Sequence, residues 1–161
     1  LLVVSFGFGQ EKTRKQLIKE RKIEKVRQTT ILIDSKEFVF VGKKAFPLGY
    51  GNIDLTTNPN YIEFKPDFIR SEMPFFGRGY SGIGYGGYSG LKSEGKPSEF
   101  TIVKGKKSYE IKATIKGEQD VFTIFMSVFF EGSATLTISS NNRSTISYNG
   151  EIFKIEKKGD K

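Results

Sequence analysis

The chain has 161 residues, with 26 lysines and arginines against 18 aspartates and glutamates, a formal charge of +8. It contains no cysteine and no histidine, which excludes disulfides, thiolate zinc sites, haem ligation and any nucleophile that depends on an imidazole base. The length suits a single domain, and 37% apolar content with 15 phenylalanines and 7 tyrosines supplies a real core rather than disorder.

Residues 1–9, LLVVSFGFG, are apolar apart from Ser5 and give way abruptly to QEKTRKQ. An apolar run ending in small residues at alternate positions, Gly7 and Gly9, reads as the end of a secretory signal peptide with cleavage near Gly9 or Gln10. The alternative is a buried first strand. Without an initiator methionine or a basic segment ahead of it, the run reads as the remnant of a longer leader, and without a following cysteine it is no lipoprotein anchor. The expectation is an exported soluble protein, periplasmic or secreted. No apolar run approaches the roughly 18 residues that a spanning helix needs.

Residues 11–28 hold eight basic residues (Lys12, Arg14, Lys15, Lys19, Arg21, Lys22, Lys25, Arg27) and three acids (Glu11, Glu20, Glu24). They are strong helix formers, so a helical lead is predicted over 10–35. Leu17, Ile18, Ile23 and Val26 scatter around the helical wheel, so the early turns are expected in water and only the end, toward Ile31, Leu32 and Ile33, docks on a core.

From residue 36 to 161 the chain reads as one β domain. In KSYEIKATIK, Tyr109, Ile111, Ala113 and Ile115 alternate with polar residues, the two-residue period of a half-buried strand. Similar runs cover 37–41, 52–56, 61–65, 100–103, 108–115, 121–130, 134–139 and 144–148. The later ones are joined by the short turns KGKK, KGEQD, EGS and SNNR, which makes them an antiparallel meander. Pro66 and Pro74 interrupt the apolar run through Phe68 and Met73, which argues for an edge or irregular crossing. In 121–130 one face is wholly apolar, and Phe125 and Phe129 place aromatics on the other. That strand is therefore expected to be central and covered on both sides, the helix being the candidate cover. The predicted fold class is mainly β, an antiparallel sandwich or barrel of seven or eight strands behind an N-terminal helix. An empty barrel would favour an apolar ligand and a filled interior would favour surface contacts.

Residues 75–95, FFGRGYSGIGYGGYSGLKSEG, hold eight of the 18 glycines together with Phe75, Phe76, Tyr80, Tyr85 and Tyr88. Ordering such a backbone costs about 1–2 kcal/mol per residue, so its aromatics must pack or hold a ligand. The string GRGYSG, residues 77–82, matches a dinucleotide-binding spacing, but no helix follows it and the match is set aside. Two readings remain: an adaptable binding face of tyrosines with Arg78, or a long crossing whose aromatics cover the end of the core. In Ser140-Asn141-Asn142-Arg143-Ser144 the asparagines suit a hairpin turn, and Arg143 is expected to cap carbonyls or pair with an acid, a role in binding being the sharper alternative.

The strings SKEFVFVGKKAFP (35–47), IDLTTN (53–58), MPFFGRGYS (73–81) and ATLTISSNNRSTISYNGEI (134–152) together resemble the bacterial domain of unknown function 4251. The resemblance spans nearly the whole chain after residue 10. It implies an exported envelope protein of Bacteroidota-type bacteria with a helical lead before a β domain, and it brings no activity and no site residue. The family pattern reads Tyr-Phe-Gly-Arg-Ala-Tyr where this chain has Phe75-Phe76-Gly77-Arg78-Gly79-Tyr80, so the added glycine is expected to loosen the loop.

Candidate ligand-binding residues are Phe75, Phe76, Arg78, Tyr80, Tyr85, Tyr88 and Arg143; no catalytic residue, metal or cofactor is expected. The chemical alternative is a small hydrolase built on Asp54, Glu63, Asp67 and Glu72, whose carboxylates cluster in sequence near the loop. Glu63, however, alternates with Ile62 and Phe64 and so points outward. The partner is expected to be an envelope ligand or protein rather than nucleic acid, with peripheral contact between the basic helix and an anionic polymer or lipid surface as a further alternative.

Overall fold

The structure, a computed structural model, describes residues 12–57, 60–76, 90–117 and 120–157. Residues 1–11, including the predicted leader remnant, lie outside them.

Helix α1, Arg14–Ser35, starts at a reciprocal cap. The Gln16 backbone N–H donates to Thr13 Oγ1 at 3.3 Å, and the Thr13 N–H donates to Gln16 Oε1 at 3.0 Å, so two of the helix's otherwise unsatisfied N–H groups find acceptors. It stops where Lys36 turns left-handed (φ 56°) and donates its N–H to the Ile33 carbonyl. As the scattered apolar residues imply, the early turns are exposed, whereas Thr29 and Ile33 are buried and Leu32 packs on the core. Thr30 Oγ1 and the Tyr109 hydroxyl share a hydrogen bond at 3.2 Å, which ties these last turns to the sheet. No described helix is long and apolar enough to cross a membrane.

Ten strands follow: β1 Phe38–Pro47, β2 Ile53–Asp54, β3 Tyr61–Lys65, β4 Phe68–Met73, β5 Leu91–Gly95, β6 Glu99–Lys104, β7 Ser108–Lys116, β8 Val121–Phe129, β9 Ser133–Ser140 and β10 Ile146–Phe153. They form one sheet in the order β5-β4-β3-β1-β10-β9-β8-β7-β6, with β2 paired to β1 beside this path. All pairings are antiparallel. The protein is thus mainly β, as its alternating pattern requires, with a single curled half-barrel sheet. Strands β6 to β10 are the predicted meander, and β1 joins it to a second meander, β3 to β5.

The curl is visible in the ring contacts. Phe38 and Phe64 stack at 4.9 Å, and Phe64 on β3 reaches Phe100 on β6, near the far end of the sheet, at 5.9 Å. Inward-facing side chains line the concave face from Phe38 and Phe40 through Tyr148, Leu136, Ile124, Ile111 and Ile62, all buried. The interior is therefore occupied by protein side chains.

Bending is concentrated at a bulge in β1, where the pairing with β10 shifts register between Gly42 and Lys44. Buried Asn60 fills it: the Gly42 N–H donates to Asn60 Oδ1 at 2.6 Å, and Asn60 Nδ2 donates to the Gly42 carbonyl at 3.2 Å. Gly42 faces Gly150 across the ladder, and two glycines let the strands approach where the sheet turns.

Three expectations are corrected. Strand β4 is regular and lies between β3 and β5, because Pro66 sits in the two-residue turn joining Lys65 to Phe68 and Pro74 follows the strand's end; the prolines bracket the strand and do not interrupt it. Strand β8 is covered on one side only. Its outer Phe125 is 46% exposed beneath Lys112 Nζ, while the helix docks at the barrel end marked by Tyr109 and Gly132. The connection between β9 and β10 is a five-residue crossing and not a tight asparagine hairpin, and β10 runs on past Asn149 and Gly150 to Phe153.

Candidate functional site

Strands β5 and β6 are the two edges of the sheet, yet only Lys96, Pro97 and Ser98 separate them in the chain. The curl must therefore bring the edges together, and proline, lacking an N–H, cannot add to a ladder there. The Ser98 N–H instead donates to the Thr114 carbonyl on β7 at 2.9 Å.

Beside this seam lies a cleft of about 700 Å3. Its described walls are Tyr61 on β3, Arg70 to Glu72 on β4, Lys92 to Glu94 on β5, the turn after β7 with Lys116 and Asp120, and Phe122 and Arg143. The outer faces of β4 and β5 are cross-linked by ion pairs, Arg70 Nε to Glu94 at 3.0 Å and Lys92 to Glu72 at 3.4 Å. The hydrogen bond that Arg70 donates to Glu94 holds its guanidinium more firmly protonated than usual. Asp120 Oδ1 accepts from the N–H groups of Val121 (2.8 Å) and Asn141 (3.1 Å), which locks the β7–β8 turn to the β9–β10 crossing. Its buried Oδ2 has no hydrogen-bond partner among the described residues.

Arg143 organises the rim. Its guanidinium carbon lies 5.2 Å from the centre of the Phe75 ring, and Nη1 donates to the Gly90 carbonyl at 3.0 Å. Phe75 and Gly90 flank the glycine/tyrosine segment in sequence, so one side chain holds both of its ends. Phe75 is buried and Phe76 packs, half-buried, on the core. Beneath them the Tyr148 hydroxyl donates to the Pro74 carbonyl at 2.7 Å, and burial pushes the Tyr148 phenol well above its usual range.

Of the sequence candidates, the structure brings Phe75 and Arg143 together and packs Phe76 on the core; Arg78, Tyr80, Tyr85 and Tyr88 lie outside the described residues. The expectation that Arg143 caps a carbonyl is met at Gly90. The proposed carboxylates each have another engagement or place. Asp54 accepts from the N–H and hydroxyl of Thr56, which lowers its pKa; Glu63 pairs with Lys65 at 2.9 Å, Glu72 with Lys92, and Asp67 sits in the turn between β3 and β4. Sequence reading missed Lys92, Glu94, Arg70, Lys116 and Asp120 as neighbours. No predicted strand covers LKSEG, whose one apolar residue, Leu91, gives no period to read.

Comparison with known proteins decides the family. The profile described as Domain of unknown function (DUF4251) matches residues 20–152. The chain belongs to that family. A crystal structure of a DUF4251 family protein from Bacteroides eggerthii DSM 20697 is similar over 84% of this chain and 91% of its own, with a TM-score of 0.67 and 18% identity. That likeness establishes a common fold. No curated protein matches the chain.

Proposed function

We propose that this DUF4251 protein is an exported, non-catalytic binding module that presents the 77–89 segment and the adjoining cleft to a component of the bacterial envelope. The observation that carries the reading is the position of Arg143, one guanidinium holding Phe75 and Gly90 at the rim of the cleft. Clamping a glycine-rich segment at its neck lowers the entropy lost when its aromatics meet a ligand. An interior occupied by side chains favours contacts at the surface over an enclosed apolar ligand. The hydrolase alternative is the weaker one, since Asp54, Glu63 and Glu72 are engaged by a hydroxyl or by lysines on separate strands.

The test is capture from a fractionated envelope extract by immobilised wild type and by a variant carrying Tyr80→Ala, Tyr85→Ala and Tyr88→Ala. Retention of a component by wild type and its loss from the variant, at unchanged melting temperature, is the expected result; equal capture refutes the reading. N-terminal sequencing of the protein recovered from its host tests export, with a mature start near Gln10 expected and an intact Leu1–Gly9 contradicting it.

A further inference from the structure

The charges of α1 are segregated in a way that composition conceals. At about 100° per residue, Arg14, Lys15, Ile18, Arg21, Lys22 and Lys25 fall in a band about 120° wide and about 16 Å long that contains no acid. All six are exposed, and none of the five cations has an ion-pair partner among the described residues. Glu20, Glu24 and Asp34 lie outside this band, and the two acids beside it along the helix are already matched: Glu20 with Lys12 at 3.0 Å and Glu24 with Arg27 at 2.6 Å. The bonds from Arg27 and Gln28 hold the Glu24 carboxyl down to about 2.

The same band continues into buried Thr29 and Ile33. The stripe therefore faces the side on which the helix docks and looks into the angle between the projecting turns and the barrel end. Lys104, Lys106 and Lys107 belong to that end. Lys104 Nζ lies 5.9 Å from the centre of the Tyr109 ring, Tyr109 being the residue that bonds Thr30, and all three lysines are exposed without ion pairs among the described residues.

From this arrangement we infer that the protein carries a second binding surface, independent of the cleft, for an acidic polysaccharide laid along the inner side of α1. Charge complementarity sets the sign of the partner. A flat bilayer cannot meet charges facing into an angle without colliding with the domain, whereas a chain-like polyanion fits there. The only apolar residue in the stripe is Ile18, so no aromatic ring is present on which nucleic-acid bases would stack.

The experiment measures binding of full-length protein to a labelled heparin oligosaccharide and to polygalacturonate. A single-stranded oligonucleotide and vesicles of mixed phosphatidylcholine and phosphatidylserine serve as competing partners. Wild type is expected to bind both polysaccharides at low salt and to release them at high salt. Reversing Lys15→Glu, Lys22→Glu and Lys25→Glu together is expected to weaken binding about tenfold or more. A control triple of equal charge change, Lys44→Glu, Lys154→Glu and Lys157→Glu, is expected to stay within about twofold. If the reversed helix melts early, Lys15→Gln, Lys22→Gln and Lys25→Gln replaces it, with the same ordering of affinities expected. Equal weakening by the control, no binding of either polysaccharide by wild type, or tighter binding to the vesicles or the oligonucleotide overturns the inference.

Discussion

Replacing Gly150 with alanine probes the bend on which the half-barrel depends. A Cβ built at Gly150 lies 2.9 Å from Gly42 Cα and 2.8 Å from Phe40 Cζ, and closer still to the Val41 carbonyl oxygen. Two of these neighbours are backbone of the paired strand β1, held in place by its ladder with β10 and by Asn60, so they cannot rotate away. Overpacking of this kind costs about 1–3 kcal/mol, and forced separation of two strands belongs at the upper end. A chain of this size melts with an entropy of about 0.3 kcal/mol/K, so Gly150→Ala is expected to lower Tm by about 7–10 °C. Gly51→Ala is the control, because a Cβ there meets nothing within 4 Å; its Tm should stay within about 1–2 °C of wild type. Differential scanning calorimetry reads both, and a Gly150→Ala variant melting with wild type would refute the claim that close approach at Gly42 and Gly150 shapes the sheet.

Asn60→Ala should be among the more damaging polar substitutions, by about 2–4 kcal/mol in urea unfolding, because it strands the buried N–H and carbonyl of Gly42. Arg143→Ala frees both ends of the glycine/tyrosine segment; limited proteolysis should cut within 77–89 faster than in wild type, and Arg143→Lys, which keeps charge but not the planar fork, should restore protection only in part. Tyr148 has its folded pKa raised by burial, so its contribution is intact below the unfolded value near 10 and is lost as pH climbs toward the folded value; Tyr148→Phe should flatten that alkaline decline while losing about 1 kcal/mol at neutral pH. Glu110 has its pKa lowered by hydrogen bonds from Ser108 and then Ser127, so its contribution is present above the unfolded value and fades as pH falls through the folded one; acid unfolding of Glu110→Gln should show a shallower dependence below pH 4.5.

Much of this fold is legible along the chain, and the reasons for the exceptions are specific. Strand β3 stands at its predicted bounds, and β7 and β8 deviate by one residue at one end, since each carries an unbroken apolar face at a two-residue period. Strand β5 was hidden because LKSEG has one apolar residue, Leu91, and depends on pairing with β4 for its identity. The end of β10 was hidden because Asn149-Gly150 looks like a turn until Gly42 is placed opposite it. The site divides the same way: Phe75, Phe76 and Arg143 were marked by type, whereas Lys92, Asp120 and Lys116 carry no local signal and meet only through the curl.

Composition and two-residue periodicity alone determined that the protein is mainly β, that a solvated basic helix leads it, and that imidazole and thiol chemistry are absent, since each follows from which side chains occur and how often they repeat. Only the tertiary structure decided that one sheet bends back on itself, that Arg143 reaches Gly90 53 positions away, and that the last turns of the helix dock on the sheet through Thr30 and Tyr109. These last are matters of long-range register and docking angle, which depend on contacts between distant parts of the chain and leave no trace in any short stretch of it.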